Sequence, residues 1–212
     1  MSTTRRFEIA QAAAQEILVA GYEGASLASI AERIGLTKGA LAYHFKTKAD
    51  IAKHLSDVVR QATDQAVRYA RQEYPDSGAC RLLLSSLVME RWRAAEPQVA
   101  AGIALFGDPG SPVDSDDLVA YWKQLGREFF EFARTHRELS TQLDPDEAAE
   151  LLLVTLLGGP VYLTHMRVDE PVTAMLRFVR LALKSAGYTR ADSDAEQVLA
   201  RYEHSLPELH VD

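Results

Sequence analysis

Apolar residues recur at intervals of three and four along almost the whole chain, the spacing of helices with one buried face rather than the alternation of a strand. Ile9, Ala13, Ile17 and Ala20 trace one such face, and Ile51, Leu55, Val58, Ala62, Ala66 and Tyr69 trace another farther along. Punctuating residues divide the pattern into elements. Gly21 ends a first helix, Ser26 is placed to N-cap a second that Gly35 closes, and Thr37 is placed to N-cap a third. Thr47-Lys48-Ala49-Asp50 sets a carboxylate three residues after a threonine, a capping-box variant that opens a long fourth helix running to about Tyr74, where Pro75-Asp76-Ser77-Gly78 stops it. A fifth helix is expected at about 78–95 and a short sixth from Pro97 to about Phe106. The Pro/Gly-rich stretch Gly107-Asp108-Pro109-Gly110-Ser111-Pro112 excludes regular structure.

Asp114 or Ser115 then starts a seventh helix of about 22 residues. Asp144-Pro145-Asp146-Glu147 supplies an N-cap, an N1 proline and two first-turn acids for an eighth at about 145–166. Leu151, Leu152, Leu153, Val154, Leu156 and Leu157 make that helix apolar around most of its circumference, so it belongs in a core or an interface. Gly158-Gly159-Pro160 inside it is expected to bend it, because proline removes an amide donor and crowds the preceding turn. A ninth helix follows from Pro171 to about Ala186, and a weaker tenth from about Arg190 to His204. The fold class is all-α.

Composition agrees with a folded domain: 47% of the 212 residues are apolar and 25% charged, which excludes disorder. No apolar run approaches the roughly 20 residues of a membrane span, and no signal-peptide core follows Arg5-Arg6, so the expected location is cytoplasmic, without membrane contact. The single cysteine, Cys80, excludes both a disulfide framework and a cysteine zinc site. Charge is uneven. Residues 1–55 carry seven basic against five acidic side chains, and residues 56–212 carry 16 against 25, so a net charge of +2 precedes one of −9. An acidic body with a small, weakly basic N-terminal segment suits a DNA-reading head better than a protein coated in nucleic acid.

Three short helices within the first 45 residues, the second and third joined by Ile34-Gly35-Leu36-Thr37, have the dimensions of a helix-turn-helix. The stretch Ala20-Gly21-Tyr22-Glu23-Gly24-Ala25-Ser26-Leu27-Ala28-Ser29-Ile30-Ala31, with Gly35-Leu36-Thr37-Lys38-Gly39-Ala40-Leu41-Ala42-Tyr43-His44-Phe45-Lys46-Thr47-Lys48, resembles the DNA-binding head of the TetR family. The resemblance covers about 50 residues and divides the chain into a DNA-binding domain, 1–47, and a helical ligand-binding and dimerisation domain, 48–212.

A recognition helix enters the major groove N-terminus first, which brings Thr37, Lys38, Gly39 and Ala40 to the DNA. Lys38 fits either a guanine edge or a phosphate, Thr37 and Ala40 fit a thymine methyl, and Gly39 lets the backbones approach. Leu41 and Phe45 fit the interior of the head, while Tyr43 and His44 face the strand. The resemblance further implies phosphate contacts from Ser26, His44 and Lys48, the last through both its amide and its amine. One position departs from the family: most relatives carry tyrosine where this chain has Ala42, with Tyr43 one place on, a shift that turns the side chain by about 100°. If Tyr43 does not replace that phosphate contact, the loss is on the order of 1 kcal/mol.

In the second domain, Pro97-Gln98-Val99-Ala100-Ala101-Gly102-Ile103-Ala104-Leu105, the loop after it and Tyr121-Trp122 resemble the γ-butyrolactone autoregulator receptors of actinomycetes. That resemblance implies that Trp122 covers a lactone. Met89, Trp92, Phe106, Leu125, Phe129, Thr155 and Tyr162 are candidates for the rest of an apolar pocket, although aromatic and aliphatic residues at helical spacing equally suit an ordinary core. The eighth and ninth helices carry more apolar surface than one bundle covers, which points to a homodimer, with Leu153, Leu157, Phe178 and Leu181 as contacts or as core. Nothing suggests catalysis or a cofactor. Ser85-Ser86 lies within a helix, Cys80 has no histidine near it in sequence, and the six histidines lack metal-ligand spacing. Asp114-Ser115-Asp116-Asp117 lacks the glycine and the final glutamate of a calcium loop. The expected function is a dimeric repressor that binds a palindromic double-stranded DNA operator. A small hydrophobic effector such as a γ-butyrolactone would release it by favouring a state in which the fourth helix swings. The alternative is a helical small-molecule-binding protein with weak or lost DNA binding.

Overall fold

A computed structural model describes residues 2–140, 144–202 and 206–210. Its described residues form ten helices: α1 Ser2–Gly24, α2 Leu27–Arg33, α3 Lys38–His44, α4 Lys48–Glu73, α5 Gly78–Ala95, α6 Pro97–Phe106, α7 Ser115–Thr135, α8 Pro145–His165, α9 Pro171–Ser185 and α10 Ala191–Tyr202. The only pairing of strand type among them is an isolated bridge between Leu139 and Tyr188. Prolines at the first turns of α6, α8 and α9 open those helices where their missing amide costs nothing. The capping box expected at α4 is present: Thr47 N–H donates to Asp50 Oδ2 at 2.9 Å and Asp50 N–H to Thr47 Oγ1 at 3.1 Å. Regular helix ends at Gly21 as expected, at a non-helical φ of 71° and ψ of 173°, and a short further turn carries the α1 span to Gly24. The tenth helix covers Ala191–Tyr202, and the expected end at His204 lies outside the described residues.

The helices gather into two compact units, one of Met1–Ala62, Trp92–Ser115 and Leu209–Asp212, the other of Thr63–Arg91 and Asp116–Glu208. In the first, Ile9, Ala13, Ile17, Ile30, Leu41, Phe45, Ile51 and Leu55 share a core with Ala101 and Leu105 of α6. Close approach of α6 to α4 explains Gly102, where a Cβ would stand 2.5 Å from both the Leu55 carbonyl oxygen and Val59 Cγ2. The unit that holds the head therefore also holds α6.

In the second unit α5 buries Leu82, Leu83, Leu84, Leu87 and Val88, a helix apolar on nearly every side and covered accordingly. Its first residue, Gly78, packs so tightly on α7 that a Cβ would lie 2.6 Å from the Phe129 carbonyl oxygen. α8 runs through Pro160 as one helix and packs on α9, with Gly159 making room for Met175. Tyr202 and Arg201 of α10 both hold Glu73 at the end of α4.

Candidate functional site

The turn between α2 and α3 is built from local rules. Ser26 caps α2 reciprocally with Ser29: Ser29 N–H donates to Ser26 Oγ at 3.0 Å and Ser26 N–H to Ser29 Oγ at 3.2 Å. At the other end, Gly35 N–H reaches the Glu32 carbonyl at 3.1 Å and Leu36 N–H the Ala31 carbonyl at 2.9 Å, a Schellman closure with Gly35 at φ 63°. Glycine adopts that φ at no steric cost, and few other residues do so readily. Thr37 caps α3 by accepting the Ala40 N–H at 3.2 Å, so α3 starts soon after the end of α2.

The seven residues of α3 have two faces. Leu41 and, just past its end, Phe45 are buried in the head core. Opposite them Thr37, Lys38, Gly39, Ala40 and Tyr43 are exposed, Tyr43 to 84%. His44 and Ala42 are half-buried, and the Tyr43 and His44 rings meet edge to face at 5.3 Å. Within the described structure no atom lies within 4 Å of where a Cβ on Gly39 would stand, and its φ is not positive. Glycine in a helix is disfavoured by up to about 1 kcal/mol relative to alanine. The protein's own packing gives no reason for Gly39.

Residues 9–55 match the tetR family of bacterial regulatory proteins. The match falls on the helix-turn-helix head. A 68-residue stretch is 34% identical to the HTH-type transcriptional regulator TtgR of Pseudomonas putida, and covers 32% of this chain and 32% of that protein, so the match spans about a third of the curated relative. Over the whole chain the fold is TetR-like. A γ-butyrolactone receptor described as ArpA-like superposes with a TM-score of 0.80 at 21% identity, over 94% of this chain and 98% of the other. TylP, a tetR regulator from Streptomyces fradiae, superposes with a TM-score of 0.67 at 26% identity, over 96% and 98%.

Within the head, Lys48 has a role that its sequence position did not suggest. Its ammonium, expected on a phosphate, donates to the carbonyls of Tyr22 at 2.6 Å, Glu23 at 3.2 Å and Ala25 at 2.9 Å, and lies 4.3 Å from the centre of the Tyr22 ring. It closes the turn after Gly21. From the far side Asp108, in the loop after α6, accepts the Tyr22 N–H at 2.8 Å. Neither interaction has a local signal, since the partners are 23 to 26 and 86 residues apart.

The residues expected to line a pocket are divided by the fold. Trp92, buried, and Phe106, half-buried, belong to the unit with the head. Met89, Trp122, Leu125, Phe129, Thr155 and Tyr162 belong to the other. There Trp122 is half-buried and donates from Nε1 to Thr63 Oγ1 at 3.2 Å, while the neighbouring Tyr121 hydroxyl donates to Asp64. Phe129 is buried, and Leu125 and Met89 are half-buried. Thr155 and Tyr162 line an open groove of about 390 Å³ between α8 and α9, with Leu151, Gly158, Gly159, Phe178 and Leu181 among its other walls. Of the residues expected at a dimer contact, Leu181 is 48% exposed and Leu153, Leu157 and Phe178 are half-buried. Buried polar groups that periodicity did not single out are Thr63 on α4 and Ser85, Ser86 and Glu90 on α5 of this unit.

Cys80 is buried, donates to Asp194 Oδ2 at 3.6 Å, and burial pushes its thiol up to about 11, which keeps it protonated and unreactive. Among the described residues no three His, Cys, Asp or Glu side chains gather as a metal site, and no helix is long and apolar enough to cross a membrane.

Proposed function

We propose that this chain is a ligand-responsive transcriptional repressor that binds a palindromic operator as a homodimer and is released by a small hydrophobic effector such as a γ-butyrolactone. The observation that carries the reading is the outward face of α3, small and polar at Thr37, Lys38, Gly39 and Ala40 over a fully buried Leu41. Such a face suits the major groove, where the N-terminal residues of a recognition helix meet base edges. Ser26, Tyr43 and His44 flank it as phosphate contacts. Lys48 joins them through its amide at the start of α4, its ammonium being used inside the head.

Residues 1–47 act as the DNA-binding domain and 48–212 as the ligand-binding and dimerisation domain. The exposed apolar residues Leu151, Val154, Val161, Tyr162 and Leu181 of α8 and α9 support a twofold interface there. Trp122 is the effector contact, and the effector acts by population shift, preferring the released state by about 3 to 5 kcal/mol.

The test is fluorescence anisotropy with a labelled duplex from upstream of the protein's own gene, at two salt concentrations, with and without a γ-butyrolactone. Tight, salt-dependent binding that the lactone reverses is the expected result. Binding that ignores the lactone removes the effector class, and no preference over random DNA removes the repressor. Trp122→Ala is expected to abolish the response while leaving operator affinity unchanged. A variant that still responds removes Trp122 from the site.

A further inference from the structure

The turn from Gly21 to Ala25 is held from two sides by groups of opposite charge. Beyond the break at Gly21 the Tyr22 N–H points out of α1, and Asp108 Oδ2 accepts it at 2.8 Å. The other oxygen of the same carboxylate accepts the Gly110 N–H of its own loop at 2.9 Å, and the Asp108 carbonyl accepts the Ser111 N–H at 3.0 Å. One carboxylate thus ties a self-ordered loop to the end of α1. Two further features fit the loop to this place: a Cβ on Gly110 would lie 2.6 Å from Glu23 Cγ, and Val113 packs against the head core. On the opposite side Lys48 gathers the carbonyls of the turn. The turn leads directly into Ser26, the cap of α2. Its orientation sets that of the helix that precedes the recognition helix.

We infer that Asp108 is a positioning residue for operator binding, which acts through the Tyr22 amide on the turn that carries α2. The inference rests on the proposed DNA-binding function and adds to it a residue of the loop between α6 and α7, far beyond the recognition helix in sequence. From this loop the chain passes into α7. A hydrogen bond to a carboxylate oxygen is among the stronger ones, and losing it leaves the amide to find water.

The experiment compares wild type, Asp108→Ala, Asp108→Asn and, as a control in the same loop, Ser111→Ala. Each full-length protein is titrated against the labelled upstream duplex, its thermal midpoint is measured, and exchange of the Tyr22 amide with deuterated solvent is followed. Expected are an affinity about tenfold lower for Asp108→Ala, the size of one charge-assisted hydrogen bond, and faster Tyr22 exchange at a midpoint within a few degrees of wild type. Asp108→Asn, which keeps one of the two acceptor oxygens, is expected to fall between, and Ser111→Ala, which keeps Asp108 and gives up only the loop's 3.3 Å acceptor for the Val113 N–H, to match wild type. If Asp108→Ala binds as tightly as wild type, or loses affinity only as far as it loses its fold, the positioning role is overturned while the repressor reading stands. If wild type itself does not prefer the duplex over random DNA, both fall.

Discussion

On α3 and its N-cap the exposed residues are Thr37, Lys38, Gly39, Ala40 and Tyr43; on α8 and α9 the exposed residues include the large apolar side chains Leu151, Val154, Val161, Tyr162 and Leu181. Both faces belong to helices whose other side is buried, and on both a glycine stands in open space: no described atom lies within 4 Å of a Cβ placed on Gly39 or on Gly158. Their chemistry is opposite. A face of small, polar and cationic groups is suited to a partner that is itself charged and rich in hydrogen-bonding edges, whereas large aliphatic side chains gain only where water is removed from both surfaces. Under the proposed function the same helical pattern would serve two partners, nucleic acid at the one face and a second copy of the chain at the other, distinguished by the side chains at the outward positions.

The comparison breaks most visibly at the apolar face. Val154→Asp combined with Leu181→Asp is expected to convert a dimer to a monomer in sedimentation equilibrium, and to lower operator affinity by about 100-fold because the second head loses its tether. A double variant that remains dimeric would move the interface elsewhere. At the polar face, Lys38→Ala is expected to cost about 1–3 kcal/mol against the operator if Lys38 reads guanine. Titration of random DNA decides between its two roles, since an equal loss there makes Lys38 a phosphate contact.

The glycines of α8 give a finer contrast. Gly159→Ala drives a Cβ to 2.8 Å from both the sulfur and the methyl carbon of Met175, and is expected to lower stability by about 1–3 kcal/mol in urea unfolding. Gly158→Ala meets nothing within 4 Å among the described residues beyond its own helix backbone and is expected to leave monomer stability within about 1 kcal/mol of wild type. Its effect should appear in the dimer dissociation constant, which rises if the partner closes over that position.

Much of this architecture was legible because it is encoded locally. Pro97, Pro145 and Pro171 mark helix starts, the Thr47–Asp50 pair caps α4, and Gly35 closes α2 with a φ that few other residues tolerate. The outward set on α3 was legible for the same reason, since Leu41 and Phe45 fix which side of a short helix turns inward. What was not legible depends on partners distant in sequence. Asp108 receives the Tyr22 amide freed beyond Gly21, and Lys48 turns inward to carbonyls of the α1–α2 turn. Helical spacing likewise marks Trp92 and Trp122 both as apolar positions without saying that they belong to different units. Periodicity reports that a side chain is covered, not what covers it.

The most direct test that α3 reads DNA is Gly39→Ala, with urea stability and operator affinity measured on one preparation. If the major groove is what requires Gly39, the variant is more stable than wild type, by up to about 1 kcal/mol, and binds the operator about tenfold more weakly. A variant equally or more stable that binds the operator as wild type does would contradict close approach of DNA at the start of α3.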